Sequence, residues 1–172
     1  MNPDSGLGNF DNLLERLLEK IQQSAGRYYK LVLLVGPPGA GKTRALQELS
    51  SRFGYPLINV NLELSRLLLE LNQRQRALKI LGLMRDLVSS HSEEVILLDN
   101  IEILFDPSLK QDPLRLLQGL SRNKTIVTAW PGHCKDGFIT YANPDHREYR
   151  RYKVEDFLLL STGEEHSMED QT

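Results

Sequence analysis

The sequence has little that would place the chain among disulfide-rich, membrane-spanning or strongly basic proteins. One of its 172 residues is a cysteine, Cys134, which excludes an internal disulfide framework. No apolar run approaches the roughly 20 residues that cross a bilayer, and the N-terminus has no signal-peptide pattern. The formal net charge of -2 argues against a globally basic nucleic-acid binder. We therefore expect a cytoplasmic protein without membrane contact, for which DNA contact is possible but not supported by the charge.

The clearest pattern in the chain is the stretch YYKLVLLVGPPGAGKT, residues 28–43. Its apolar, β-branched run Leu31–Val35 predicts a buried strand, and the helical pattern TRALQELSSRF follows the glycine-rich turn directly. The turn matches G-x-x-x-x-G-K-[ST], the Walker A arrangement. A strand, a glycine loop and a helix in this order form a phosphate-binding loop.

Each residue type in this loop suits the binding of a nucleotide. Glycines allow backbone N–H groups to turn toward phosphate oxygens, and the helix adds its partly positive N-terminus. Lys42 would reach the β- and γ-phosphates, and the Thr43 hydroxyl would bind Mg²⁺. The sequence thus predicts ATP and Mg²⁺ as ligands. The predicted nucleotide-binding residues are Gly36, Pro37, Pro38, Gly39, Ala40, Gly41, Lys42, Thr43 and Arg44.

A second motif, EVILLDNIEILF, follows about fifty residues later. Val95–Leu98 predicts an apolar strand that ends in Asp99, the place of the Walker B carboxylate in P-loop domains. Four apolar residues before an aspartate are a weak match alone, but the order and spacing of the two motifs strengthen it. We predict that Asp99 holds Mg²⁺ together with Thr43.

The residue after Asp99 departs from a common pattern. ATPases of the AAA+ type commonly place there a glutamate that polarises the attacking water, whereas this chain has Asn100. An amide cannot accept a proton, although it can orient a water molecule. Glu102 is either a substitute base or a solvent-facing side chain. The predicted catalytic residues are accordingly Lys42, Asp99, Asn100 and Glu102, with slow hydrolysis, or none without help.

The later part of the chain contains weaker signals. TIVTAW predicts a strand on which Thr128 has the place of an AAA+ sensor residue, and 130–132 is expected to turn the chain. Arg147, Arg150 and Arg151 lie where AAA+ subunits often project an arginine finger into a neighbour, or they form an ordinary basic surface. Such a finger acts between subunits, and we expect the chain to form a homo-oligomer.

These patterns predict one domain with flexible termini. Residues 1–9 are expected to be flexible, an amphipathic helix to begin at Phe10 with Asn9 or Asp11 as its cap, and Leu57–Asn61 to form a second strand. Residues 10–160 would form a single P-loop NTPase domain, and 161–172 a disordered acidic tail. The predicted fold is an α/β three-layer P-loop NTPase sandwich with a mostly parallel five-stranded sheet, an AAA+-like core without a C-terminal lid.

Several longer stretches resemble one particular family. GPPGAGKT, YPLINVNLELSRLLLE, EYRRY and above all LLDNIEILFDPSLKQDPLRLLQGLSRNKTIVTAW resemble the BrxF family of small P-loop proteins from type 3 BREX phage-exclusion systems. The resemblance covers roughly residues 31–160. It implies an ATP-binding component of an antiviral system whose partners are a DNA methyltransferase, a large ATPase and a phosphatase-like protein. Asn100 fits the LLDN pattern of that family.

Three functional hypotheses remain open at the level of sequence. The chain could be an ATPase completed by a neighbouring subunit, a nucleotide-dependent switch or adaptor with little turnover, or a small-molecule kinase. Strand order would separate them: a TIVTAW strand between the P-loop and VILLD strands favours the ATPase, whereas direct adjacency of those two favours the kinase. A G protein is disfavoured because the Asn-Lys-x-Asp guanine motif does not occur.

Overall fold

Five parallel strands form the centre of the molecule in the order β2-β3-β4-β1-β7, with an antiparallel extension on β4. The computed structural model describes the backbone of residues 4–163 and the side chains of residues 8–163. The strands are β1 (Leu31–Gly36), β2 (Leu57–Asn59), β3 (Val95–Asp99), β4 (Thr125–Lys135), β5 (Phe138–Tyr141), β6 (Arg150–Lys153) and β7 (Leu158–Ser161). The predicted parallel α/β sheet with its P-loop strand is confirmed.

Helices cover both faces of the sheet and give the predicted three layers. They are α1 (Asp4–Ser24), α2 (Lys42–Phe53), α3 (Val60–Leu68), α4 (Gln73–Ser89) and α5 (Pro113–Leu120), with short 3-10 helices at Glu102–Phe105 and Pro107–Leu109. The central strands are continuous aliphatic runs because a parallel sheet between two helical layers is buried on both faces. No helix in the described part of the chain is long and apolar enough to cross a membrane.

The alternation of side chains along the strands separates two cores. Val32, Leu34 and Leu97 pack with α1 and α2 on one face. Leu33 and Leu98, one residue further along their strands, pack with α3, α4 and α5 on the other. Successive strand residues point to opposite faces of the sheet, so two residues an even number of positions apart on one strand contact the same helices. We say that such residues have the same parity.

The expected turn at 130–132 is wrong, because β4 continues through Pro131 to Lys135. Proline removes a backbone donor, so strands tolerate it where a neighbour is missing. The β3–β4 pairing ends at Thr128, so at Pro131 only β1 lies alongside. Gly132 then begins the antiparallel pairing with β5, and a side chain there would overlap the carbonyl oxygen of Thr140.

Three predicted boundaries also differ. Helix α1 begins at Asp4, so both predicted caps lie inside it, and residues 4–9 are helical; extending an existing helix costs far less than starting one. Strand β2 ends at Asn59, two residues before the predicted strand end, because the Asn59 side chain accepts from Leu62 N and caps α3. Strand β7 includes Ser161, and the rest of the predicted tail from residue 164 lies outside the described residues.

Candidate nucleotide-binding site

The loop between β1 and α2 has the backbone conformation that its glycines predict. Gly39 and Gly41 have φ angles of 79° and 90°, in the left-handed region that other residues avoid. Gly41 stands at the N-terminus of α2, and its carbonyl accepts from Ala45 N at 3.0 Å. The free N–H groups of the first helical turn therefore face the loop, which is an arrangement suited to anions.

Lys42 is the first residue of α2 and is 8% exposed. Its Nζ donates to the carbonyl oxygens of Gly36 at 2.5 Å and Pro37 at 2.9 Å, so the ammonium group spans the loop from the inside. Burial lowers the pKa of Lys42 from its usual value of 10.5, and the carboxylates of Asp99 and Glu102 oppose that shift.

The Thr43 hydroxyl and the Asp99 carboxylate meet beside the loop. Thr43 Oγ1 donates to Asp99 Oδ2 at 2.7 Å, although 55 residues separate the two along the chain. Asp99 has the same parity as Leu97 and thus points to the α2 side of the sheet. A hydroxyl and a carboxylate at one point are hard oxygen ligands of the kind that Mg²⁺ prefers, so these residues fit the predicted ion.

A cavity of about 500 Å³ joins the loop to the end of β3. It brings together most of the predicted nucleotide-binding residues and all four predicted catalytic residues. Its lining consists of Pro38, Gly39, Gly41, Lys42, Thr43, Arg44, Gln47, Asp99, Asn100, Glu102, Ala129 and Pro131. The site lies at the carboxyl ends of the parallel strands, where α/β sheets bind their ligands.

Asn100 adopts a left-handed conformation with a φ angle of 52°. Its N–H donates to the Asp99 side chain at 2.9 Å, and its carbonyl oxygen accepts from Asn61 N at 2.9 Å. Asparagine tolerates this conformation better than residues with longer side chains. This turn ends β3, and Glu102, two residues later, lines the cavity.

Glu102 is held at the cavity wall by Asn61, the second residue of α3. Asn61 Nδ2 donates to Glu102 Oε2 at 3.1 Å, and Asn61 Oδ1 accepts from Ile103 N at 2.9 Å. Together with its backbone bond to Asn100, Asn61 therefore fixes three positions of the segment after β3. Glu102 is half-buried and hydrogen-bonded at this wall, and its role as a base stays a prediction.

Some predicted residues lie beside the cavity and do not line it. Gly36, Pro37 and Ala40 shape the loop through the lysine contacts and an Ala40 N to Pro37 O bond of 3.2 Å. A Cβ at Gly36 would overlap the side chain of Thr162, which explains the glycine there. Arg44 lines the cavity, but its guanidinium lies 4.0 Å from the ring centre of Phe10 in α1.

Thr128 does not take the expected sensor place. It has the parity of Ile126 and Trp130, which pack against α3 to α5, so it lies on the face opposite Asp99. Its hydroxyl is buried and has no hydrogen-bond partner among the described residues. The β4 residues that do reach the cavity are Ala129 and Pro131, which carry no polar side chain.

The three candidate finger arginines lie away from this cavity. Arg150 and Arg151 belong to β6, at the edge of the antiparallel extension, and the Arg151 guanidinium lies 3.4 Å from the ring centre of Phe138. Arg147 lies in the exposed segment before β6 and helps to lower the pKa of Asp106, after the larger effect of the Ser108 backbone N–H. None of the three lines the cavity of its own chain.

The sequence reasoning missed Asn61, Gln47, Ala129 and Pro131 as neighbours of the site. Gln47 follows Thr43 by one helical turn, so its position was available from the spacing. The sequence pattern predicts a strand that ends at Asn61, and only the early start of α3 turns its side chain toward Glu102. Pro131 falls in the predicted turn, and Ala129, on the predicted strand, carries no polar group that would mark it as part of a site.

The strand order and the site together define a P-loop NTPase of the ATPase branch. Strand β4 lies between β1 and β3, so the arrangement that would favour a kinase does not occur. The family model of the ATPases associated with various cellular activities (AAA) matches residues 32–125, more than half of the chain. The chain therefore belongs to the AAA family of nucleotide-binding proteins. A comparison with curated proteins finds no match.

Proposed function

We propose that the chain is a Mg-ATP-dependent ATPase in which Glu102 takes the part of the glutamate that commonly follows the Walker B aspartate. The observation that carries the proposal is the Asn61–Glu102 hydrogen bond of 3.1 Å, which holds a carboxylate at the wall of the P-loop cavity. A general base must be held within reach of the proton that it removes. Asn100 leaves that role open, because its side chain is an amide.

The residues of the cavity divide the chemistry among them. The loop N–H groups bind phosphate oxygens, and Lys42 exchanges its carbonyl partners for the β- and γ-phosphates. Thr43 and Asp99 hold Mg²⁺, which when bound offsets the charge of the phosphate oxygens. Glu102 accepts a proton from water as the water oxygen bonds to the γ-phosphorus and the bond from that phosphorus to the ADP oxygen breaks.

Turnover by a single copy should be slow, since beyond Lys42 and bound Mg²⁺ the cavity has little to offset the charge of the transition state. Arg44 is the one arginine that lines it among the described residues, and it is placed over the ring of Phe10. In many P-loop enzymes an arginine supplied from outside raises the rate by roughly 10³- to 10⁵-fold. We therefore propose that the site is completed either by a second copy, with its Arg147, Arg150 or Arg151 as the candidates, or by an arginine of another protein.

The biological setting of the proposal is a BREX antiphage defence system. Its support is the resemblance of the long LLDNIEILFDPSLKQDPLRLLQGLSRN block and the shorter stretches to the BrxF family. In that setting the protein would act in the cytoplasm beside the large ATPase, the methyltransferase and the phosphatase-like protein. The AAA membership fits an ATP-binding component, and the partners come from the resemblance alone.

A non-hydrolysing switch is the second candidate, and the amide of Asn100 is the observation that favours it. Such a protein needs only a difference in ATP affinity between two states. It would bind Mg-ATP tightly and leave it intact at any protein concentration. The same P-loop contacts serve both candidates, so binding measurements do not separate them and turnover must be measured.

The test is Mg-ATP turnover over a wide range of protein concentration, with Lys42→Ala as the blank. We expect Glu102→Gln to lower the turnover rate roughly 10²- to 10⁴-fold while ATP affinity stays within twofold. Glu94→Gln is the matched control, because Glu94 is exposed and precedes β3 at the far end of the strand. Equal turnover by the Glu102 and Glu94 variants would refute the assignment, and tight binding without turnover by the parent protein would favour the switch. Specific activity that rises with concentration would indicate a site shared between copies.

A further inference from the structure

A second cavity, of about 690 Å³, lies at the end of the sheet opposite the P-loop. We call it the arginine basin. Its lining residues are Tyr29, Arg85, Arg115, Gln118, Gly119, Arg122 and Asn123. Tyr29 precedes β1 by two residues and Asn123 precedes β4 by two, so the basin lies at the amino ends of the strands. The six residues of β1 separate the two cavities by roughly 20 Å.

The positive charge of the basin has no acidic partner among the described residues. Arg85 lies on α4, Arg115 on α5 and Arg122 in the loop before β4, and all three are exposed. The ion pairs of the described residues involve other basic groups, and no carboxylate of residues 8–163 lies within 4.0 Å of these three guanidinium groups. The fold thus collects three like charges from three elements, which is an arrangement that an anion would stabilise.

Aromatic rings stand at one rim of the basin. Tyr28 is 64% exposed, an unusual degree for a large ring. The Arg122 guanidinium lies 4.5 Å from the centre of the Tyr28 ring, and the rings of Tyr28 and Tyr29 meet in a T-shaped contact with 4.8 Å between their centres. Asp156 is the acidic group nearby, in the adjoining cavity that Arg27, Tyr28 and Tyr29 share. An accessible ring is thereby fixed beside the guanidinium groups.

We propose that the arginine basin binds the phosphodiester backbone of single-stranded nucleic acid, with Tyr28 as the ring on which a base stacks. Guanidinium groups pair with phosphate oxygens in a planar, two-pronged geometry. Proteins that bind single strands combine such a basic groove with aromatic side chains for the unpaired bases. A paired base could not reach Tyr28, so the ring favours a single strand over a duplex. The near-neutral charge of the whole chain is compatible with this local patch.

The test is fluorescence anisotropy of a labelled 20-nucleotide single-stranded DNA against the intact protein at several salt concentrations. Replacement of Arg85, Arg115 and Arg122 by glutamine should weaken binding at least tenfold. It should also reduce the slope of log affinity against log salt by roughly 2, since each phosphate contact to a single strand contributes about 0.7. The matched control replaces three exposed arginines outside the basin, Arg52, Arg66 and Arg74, by glutamine, with the same change of charge.

Further measurements test whether the ligand is a single strand and whether it binds apart from the P-loop. Tyr28→Ala should weaken single-strand binding several-fold with an unchanged salt slope, since stacking is not ionic. Binding of ATP analogues to the basin triple variant should match the parent, which shows that it is folded and that the P-loop is a separate site. The proposal is overturned if the parent protein does not bind the strand, or if the control triple loses as much affinity. It is equally overturned if a duplex or polyglutamate binds as tightly as the single strand.

Discussion

The hydroxyl of Thr43 lies 2.7 Å from Oδ2 of Asp99 and donates a hydrogen bond to it. Thr43 belongs to α2, which follows β1, and Asp99 is the last residue of β3. Strand β4 lies between β1 and β3 in the sheet. Contact across that gap requires β3 to end near the phosphate loop and Asp99 to point toward α2. Through β4 the sheet aligns Leu98 with Leu33, so β3 ends shortly before the level at which the loop begins, and the alternation of side chains along β3 points Asp99 toward α2.

Asp99→Asn should remove the Mg²⁺ dependence of nucleotide binding. The amide keeps the size of the carboxylate but loses its charge, so the ion would lose its protein carboxylate. We expect affinity for Mg-ATP to fall roughly tenfold or more, toward the value that the parent shows in EDTA. Isothermal calorimetry with and without the metal measures this. An equal affinity of the parent protein under both conditions would contradict the assignment.

Asn61→Ala should reduce turnover through Glu102. The change removes both side-chain contacts of Asn61 and frees the carboxylate from its place at the cavity wall. We expect kcat to fall about 10- to 100-fold with KM nearly unchanged, since the ATP contacts remain. In a Glu102→Gln background the same change should have almost no effect on kcat. A further loss in that background would mean that Asn61 acts on the fold and not through Glu102.

Nucleotide affinity should decrease in alkaline solution at a lower pH than an ordinary lysine would give. Burial lowers the pKa of Lys42 in the folded protein, and the site needs the protonated ammonium. As pH rises, the group therefore loses its proton, and affinity falls with a midpoint below 10.5. Displacement of a fluorescent ATP analogue between pH 8 and pH 10.5 measures the profile, with circular dichroism at each pH as the control for folding. A midpoint at or above 10.5 would contradict the effect of burial.

Asn100→Ala should destabilise the protein, and Asn100→Gly should not. Asn100 has a φ of 52°, where an ordinary side chain costs about 1 kcal/mol or more and glycine costs almost nothing. The free energy of unfolding from urea titration should fall by about 1 kcal/mol in the alanine variant and by less than half of that in the glycine variant. Equal losses would mean that the Asn100 side chain, and not its backbone conformation, is what matters for stability.

The parts of the fold that could be predicted are those encoded in continuous sequence. The strand, loop and helix at Leu31–Phe53 are contiguous, so spacing alone located Lys42 and Thr43, and the apolar run before Asp99 located β3. The Pro131-Gly132 signal was local too, but tertiary pairing with β5 overrode it. In the same way, the glycine-rich start of the chain gave no sign that α1 reaches back to Asp4.

The relationships that carry the chemistry could not be predicted because they join distant segments. Asn61 and Glu102 are 41 residues apart, and their contact depends on a helix that begins at Val60 and not two residues later. The strand order also had to be left open, because connections of this length allow more than one arrangement. The same limit concealed the arginine basin, whose guanidinium groups come from three elements.

The internal contacts of Lys42 have a consequence for how fast ATP can bind. The ammonium group already bridges the carbonyls of Gly36 and Pro37, so the loop keeps its curved shape through its own hydrogen bonds. Entry of the phosphates is then an exchange of partners at a preorganised receptor, with little loop ordering to oppose it. Association should therefore be close to the rate at which ATP encounters the loop, and differences in affinity among variants should appear mainly as differences in residence time.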